Sequence, residues 1–217
     1  MSTLLSTSAA VLPLAAGWSV HGWWLRGKLR TARRDPLTGL VTRDGFTRHA
    51  RKLLKDPASV VILADVDHFK QVNDTHGHAA GDALLKAIAD RLAHYVGRDG
   101  IAGRLGGDEF AAVLRDRDGS ATDLLAVLHG VLARPVNHLD AAVRTTVSLG
   151  WVRAGDFPGE DLPALLRRAD ESMYAAKQQR TGPRRASTGV GRLFATLAGR
   201  RAGRRGARTK GTPGVVA

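Results

Sequence analysis

The chain has 217 residues, 43% of them hydrophobic, no cysteine and a formal charge of +13. A chain of this size can bury one ordinary core, and the missing cysteine excludes disulfides, thiolate nucleophiles and cysteine-ligated zinc. The charge suggests an anionic partner, yet all 20 acidic residues lie between Asp35 and Glu171 and balance the basic ones there, so the excess belongs to the two ends.

Residues 4–25 (LLSTSAAVLPLAAGWSVHGWWL) carry no formal charge and are followed by RGKLRTARR. About 20 predominantly apolar residues cross a bilayer, and basic flanks stay on the cytoplasmic side. The run is a candidate membrane anchor, with Trp23 and Trp24 at the interface and its C-terminal side in the cytoplasm. Pro13, Gly17, His21 and Gly22 weaken its apolar character, which keeps an amphipathic signalling helix or an unstructured leader as the alternative. No basic residue precedes it, which argues against a cleaved signal peptide.

The turn-rich stretch DPLTGL at 35–40 reads as the entry to a domain. Phe46, Ala50, Leu53 and Leu54 recur at helical spacing and predict a helix over 44–55. SVVILADVD at 59–67 is a β-branched run that predicts a buried strand ending in acids. A second helix is expected to start at Gly81-Asp82, with Leu84, Leu85, Ile88, Leu92 and Tyr95 on one stripe. RLGGDEFAAVL at 104–114 predicts a hairpin with Gly106, Gly107, Asp108 and Glu109 as its turn and Phe110, Ala112 and Leu114 alternating beyond it. A helix over 122–134, a strand over 143–152 and a helix over 162–179 complete one α/β domain at 31–181. From Gly182 onward the Gly- and Arg-rich tail has too little apolar surface to offset the cost of ordering, and is expected to be disordered.

The acids carry the chemistry. Asp65 and Asp67 share one face if the strand runs through them. If that strand neighbours the hairpin, Asp65 converges with Asp108 and Glu109. Carboxylates gathered in this way repel unless a hard cation neutralises them. Magnesium suits them, because it binds through one or two carboxylates together with substrate phosphates. Glycines beside the acids allow a tight turn and the approach of a phosphate. A lone GGDE, however, fits a solvated surface turn equally well.

Four further blocks accompany it: DPLTGLVTR at 35–43, DVDHFKQVNDTHGHAAGD at 65–82, TVSLG at 146–150 and RRADESMYAAK at 167–177. With RLGGDEF at 104–110 they follow the order of the GGDEF-domain diguanylate cyclases, which the chain resembles from Asp35 to about Arg180. The resemblance implies a central, mainly antiparallel five-stranded sheet flanked by helices, similar to nucleotidyl cyclases and polymerase palms. It also implies condensation of two GTP into cyclic di-GMP with release of pyrophosphate, by a homodimer holding one GTP per protomer. Two Mg²⁺ (or Mn²⁺) ions per site would be held by Asp65, the carbonyl of Val66, Asp108 and Glu109. The division of metal and base roles between Asp108 and Glu109 stays open. Asn73, His78 and Asp82 match positions of the guanine pocket, and Lys70 and Lys177 match phosphate-binding lysines.

Two departures from the family pattern are visible. The family's last helix commonly ends in Lys, two variable residues, Gly and Arg, whereas here Lys177 is followed by Gln178, Gln179 and Arg180, one position early. Arg180 is still assigned to the phosphate. The positions of the family's Arg-x-x-Asp feedback site hold Gly97 and Gly100, so product inhibition through that site is not expected. The alternative function is a degenerate module that binds GTP or cyclic di-GMP and acts through partners. A nucleic-acid role rests on the basic ends alone. His68 and His76 are expected at the surface, and Asp67 in a supporting role beside the metal site.

Overall fold

The computed structural model describes residues 34–188 except 140 and 180. The candidate anchor at 4–25, Arg180 and the tail beyond 188 lie outside the described residues. In chain order the elements are β1 (Val41–Thr42), α1 (Arg43–Leu53), β2 (Ser59–Val66), α2 (Phe69–His76), α3 (His78–Val96), β3 (Ile101–Gly106), β4 (Glu109–Arg115), α4 (Ala121–Leu132), β5 (Val136–His138), β6 (Ala141–Val143), β7 (Val147–Arg153), a 3₁₀ turn (Ala154–Asp156), α5 (Leu162–Gln179) and β8 (Arg184–Arg185).

The main sheet has the order β1-β3-β4-β2-β7-β8. The four long strands pair antiparallel, and the two-residue edge strands β1 and β8 pair parallel to β3 and β7. β2 lies at the centre and is buried along its whole length. That burial explains its unbroken apolar run, since both faces of the sheet are covered. Val60, Ile62, Ala64 and Val66 point into one core with Phe110, Ala112, Leu149 and Trp151, closed by α3 and α4 through residues such as Leu85, Ile88, Leu92, Leu125 and Leu128. Val61 and Leu63 point into the other, with Ala111, Val113 and Val152, closed by α1 and α5 through Phe46, Ala50, Leu165, Ala169 and Met173. The result is a three-layer α/β/α domain.

Several boundaries differ from the sequence expectation. The sheet has six strands, one more than expected, because of its short edges. The expected strand at 143–152 is divided. Residues 141–143 pair with 136–138 in a separate ribbon, and β7 begins only at Val147. The link between them departs from the ladder because Thr145 Oγ1 donates to the Asp67 carbonyl (2.7 Å) and Thr146 Oγ1 to the Asp67 carboxylate (2.6 Å). α2 was not anticipated, since Val72 is its only buried residue and no apolar stripe announces it. α3 begins at His78, three residues earlier than expected, with Gly77 at φ 82° separating the two helices.

The start of the tail is corrected as well. Residues 184–185 form β8, and the Ala186 N–H donates to the Trp151 carbonyl at 2.7 Å. Arg185 lies over the Trp151 ring at 5.2 Å and pairs with Asp156 at 2.7 Å. An arginine covers apolar surface with its stem and keeps its charge paired at the rim, so composition alone placed the boundary a few residues too early.

Candidate active site

β2 and β4 are in register with Asp65 directly opposite Glu109. On its other side β2 sets Asp65 opposite Ser148 of β7. Directly opposed residues have Cβ atoms about 5 Å apart, so pairing alone brings the strand-end acid to the hairpin acids 43 positions later in the chain. One further bond locks the hairpin tip to the strand end: the Val66 N–H donates to the Asp108 carbonyl at 3.2 Å.

The tip between β3 and β4 is irregular. The ladder slips between Arg104 and Gly106, and Gly106 and Gly107 adopt φ of 153° and 52°. The left-handed Gly107 conformation is one that side chains disfavour, and it aims the Asp108-Glu109 pair back towards β2. Arg104 fixes the turn from below. Its Nε and Nη2 donate to the Gly107 carbonyl at 2.9 and 2.7 Å, and its Nη1 pairs with Asp35 at 3.0 Å. Asp35 is itself held by the Thr38 N–H (2.8 Å) and hydroxyl (2.7 Å). Burial would raise the Asp35 carboxyl, but the Thr38 hydrogen bonds and the Arg104 guanidinium outweigh it and hold its pKa below the ordinary aspartate value. Arg43, from the first turn of α1, donates to the Leu105 carbonyl (3.3 Å) and lies 3.7 Å from the Glu109 carboxylate. Sequence reading assigned no role to Asp35, Arg43 or Arg104, although each lies in one of the five blocks. Their contacts join residues as far as 69 positions apart, which no spacing rule reveals.

The electrostatics mark the spot where cationic chemistry is wanted. Burial, and then the Asp65 charge beside it, push the Asp108 carboxyl above the ordinary aspartate value. Lys177, from the last turn of α5, donates to Asp65 and lies 3.4 Å from Asp67. Burial opposes its charge, but the bond to Asp65 and the attraction of both aspartates prevail, and its pKa is raised. Asp67 accepts from the hydroxyls of Thr146 and Ser148, the latter at 2.8 Å. Beside these groups lies a cavity of about 650 Å³ lined by Lys177, Gln178, Asp67, Ser148 and His129 among others. That volume falls within the range of small-molecule sites.

The residues matched to the guanine pocket lie on α2 and α3. A Cβ on Gly81 would sit 2.0 Å from Asn73 Oδ1, so the Asn73 side chain packs against the bare backbone beside Asp82. Asp82, His78 and Lys70 are exposed. His76 is exposed as expected, and so is His68, which takes a left-handed φ of 55° at the junction of β2 and α2.

No three His, Asp or Glu side chains among the described residues converge into a ready-made metal cage. Asp65 and Asp108 nevertheless suit a hard cation, because two carboxylates close enough to raise the proton affinity of one are short of positive charge. Mg²⁺ takes that few protein ligands when phosphates and water complete its shell. Among the described residues no helix is long and apolar enough to cross a membrane.

Comparison with known proteins places the chain in a family. The family model described as diguanylate cyclase, GGDEF domain, matches residues 32–183. An uncharacterised 19.3 kDa protein of Streptomyces ambofaciens is 48% identical over 180 residues, covering 82% of this chain and 96% of that one. Diguanylate cyclase DgcN of Escherichia coli is 38% identical over 159 residues, which are 70% of this chain but 38% of the E. coli protein. The crystal structure of the coiled coil and GGDEF domain of DgcB from Caulobacter crescentus, in complex with c-di-GMP, superposes with a TM-score of 0.72 at 25% identity. It covers 83% of this chain and 100% of that one.

Proposed function

The chain belongs to the GGDEF family of diguanylate cyclases, and from that premise we propose that it condenses two molecules of GTP into cyclic di-GMP. The observation that carries this reading is the register that sets Asp65 against Glu109, with Asp108 bonded across to Val66. In each half-reaction a 3′-oxygen bonds to the α-phosphorus of the opposing GTP, the bond to the β-phosphate breaks, and pyrophosphate leaves. The proton of the 3′-hydroxyl passes to the hairpin carboxylates. Asp108 and Glu109 are the carboxylates placed to take it, and Arg43 holds Glu109 in position. Mg²⁺ or Mn²⁺, two ions per site, would be held by Asp65, the Val66 carbonyl, Asp108 and Glu109, and would supply neutralisation of phosphate charge and a lowered pKa for the hydroxyl.

Lys177, already resting against Asp65 and Asp67, turns to the phosphates as a mobile point charge, joined by Lys70 and Arg180. Asn73 and Asp82, with His78 beside them, read the guanine edge. An aspartate accepts from the guanine N1–H and amino group, where adenine offers no matching pair of donors. One rim of this kind per chain forms one phosphodiester bond, so two protomers face each other in the working enzyme. At the former feedback position, a Cβ on Gly100 would lie 2.5 Å from the Val113 carbonyl. The loop there is built around glycine, which supports a cyclase without that inhibitory site.

The direct test is incubation of the full chain with GTP and Mg²⁺ and detection of cyclic di-GMP by mass. Asp65→Ala and Glu109→Ala are expected to eliminate product while leaving the circular dichroism unchanged; full turnover in both would refute the metal assignment. GTP binding with no product at any protein concentration would instead establish the module that acts through partners. A separate expectation concerns the guanine pocket. Gly81→Ala must push Asn73 off its perch, and GTP affinity should fall about tenfold, the worth of one or two hydrogen bonds. Unchanged affinity in a calorimetric titration would remove Asn73 from the pocket.

A further inference from the structure

A second cleft, of about 500 Å³, opens between α2 and the link at 144–146, and its lining includes His68, Gln71, Val72, Thr75, His76 and Arg144. At 100° per residue Gln71, Val72, Thr75 and His76 of α2 share one helix face, with His68 just before the helix, whereas Asn73 turns away against Gly81. None of the roles assigned above uses this face. The link opposite it is not a loose loop. Thr145 and Thr146 bond to Asp67, and the Asp67 N–H donates to the Thr146 carbonyl at 2.9 Å, so Arg144 is held over α2 by a pinned backbone.

The chemistry of the lining is selective. Among the described residues Arg144 is its one permanent charge, and no carboxylate lines it. Among the described residues the side chains of Arg144, Gln71, Thr75, His68 and His76 have no hydrogen-bond or ion-pair partner. The cleft therefore offers a guanidinium fork, an amide, a hydroxyl and imidazole nitrogens over an apolar floor at Val72. A guanidinium matches the oxygens of a phosphate bidentately. Among the described residues the lining holds no Phe, Tyr or Trp to stack a base and no acid to read one. The cleft adjoins the Lys177 cavity through two shared residues, His68 and Thr146. On the other side of that boundary stand Asp65, Asp67 and Asp108, which repel an anion that Arg144 attracts.

We propose that this cleft is a second, phosphate-accepting site, centred on Arg144 and distinct from the nucleotide site. Its ligand is a phosphate or pyrophosphate group, either free or carried by a nucleotide. The assignment stands independently of the cyclase reading, because none of the residues that line the cleft is given a role there.

The test is calorimetric titration of the full chain with pyrophosphate in the absence of divalent metal, for the wild type, Arg144→Ala and Lys177→Ala. Arg144 is exposed, so its truncation leaves the fold intact, which a melting curve verifies. Saturable binding is expected to weaken about tenfold in Arg144→Ala, as loss of charge-assisted hydrogen bonds requires, and to persist in Lys177→Ala. Equal binding in wild type and Arg144→Ala, loss of binding in Lys177→Ala, or no saturable binding at all would overturn the proposal. A parallel titration with GMP separates the sources. Binding that depends on Arg144 and is displaced by pyrophosphate assigns the site to a nucleotide phosphate, and Arg144-dependent binding of pyrophosphate alone assigns it to the free ion. Cyclic di-GMP formation, measured on the same Arg144→Ala protein at saturating GTP, reports separately on the nucleotide site.

Discussion

Asp108→Asn should lose cyclic di-GMP synthesis by about 10³-fold or more and, without divalent metal, melt at a higher temperature than the wild type. The first effect follows if Asp108 supplies both a metal ligand and a proton acceptor, since stabilisation of several kcal/mol disappears with it. The second follows from the resting electrostatics. Burial and the neighbouring Asp65 raise the Asp108 carboxyl, so the ionised side chain works against folding, and an amide of the same shape removes that opposition. A raised native pKa means that the folded state holds more proton than the unfolded one between the ordinary and the raised value. Stability contributed by protonated Asp108 is present below that window and is lost as pH rises through it. At neutral pH the metal-free variant should therefore melt above the wild type. Mg²⁺ should stabilise the wild type and close the gap. A lower melting temperature for the metal-free variant would show that Asp108 supports the fold and is not held there against repulsion. Retained synthesis would remove it from the chemistry.

Gly150→Ala is expected to be the most damaging single substitution in the core. Gly150 lies in β7 where α5 crosses it, and a Cβ there would stand 2.1 Å from the Ala169 carbonyl and 2.3 Å from the Met173 N–H nitrogen. Both are helix backbone, which cannot move aside as a flexible side chain would. Separating strand from helix would open the packing of Leu165, Ala169 and Met173 against β2 and β7, at a cost of about 3 kcal/mol or more, in the range of severe overpacking. Activity should fall along with stability, because α5 carries Lys177 to Asp65. Chemical denaturation measures the loss directly. A midpoint within 0.5 kcal/mol of wild type would mean that the sheet and helix can part without penalty.

These two residues also show where the sequence speaks and where it does not. Asp108 announces itself, since adjacent acids behind two glycines need a reason, and the blocks around it supply one. The family was thus readable from the five blocks in their order. So were the central strand and the helices α1, α3, α4 and α5, because burial on one face or two imposes a period on the apolar residues. Gly150 could be noted as part of TVSLG, but nothing local says that a helix from 20 positions later rests on it.

What the sequence by itself determined is the set of carboxylates, lysines and glycines, together with the order in which they arrive along the chain. These are matters of side-chain chemistry and short-range periodicity, which each residue carries with it. Only the tertiary structure decided that Asp65 faces Glu109, that Arg104 ties Asp35 to Gly107, that Lys177 waits on Asp65, and that Arg144 overhangs a polar face of α2. Those pairings join parts of the chain tens of residues apart, and they are fixed by strand register and helix docking, to which the sequence surrounding any one of them is blind.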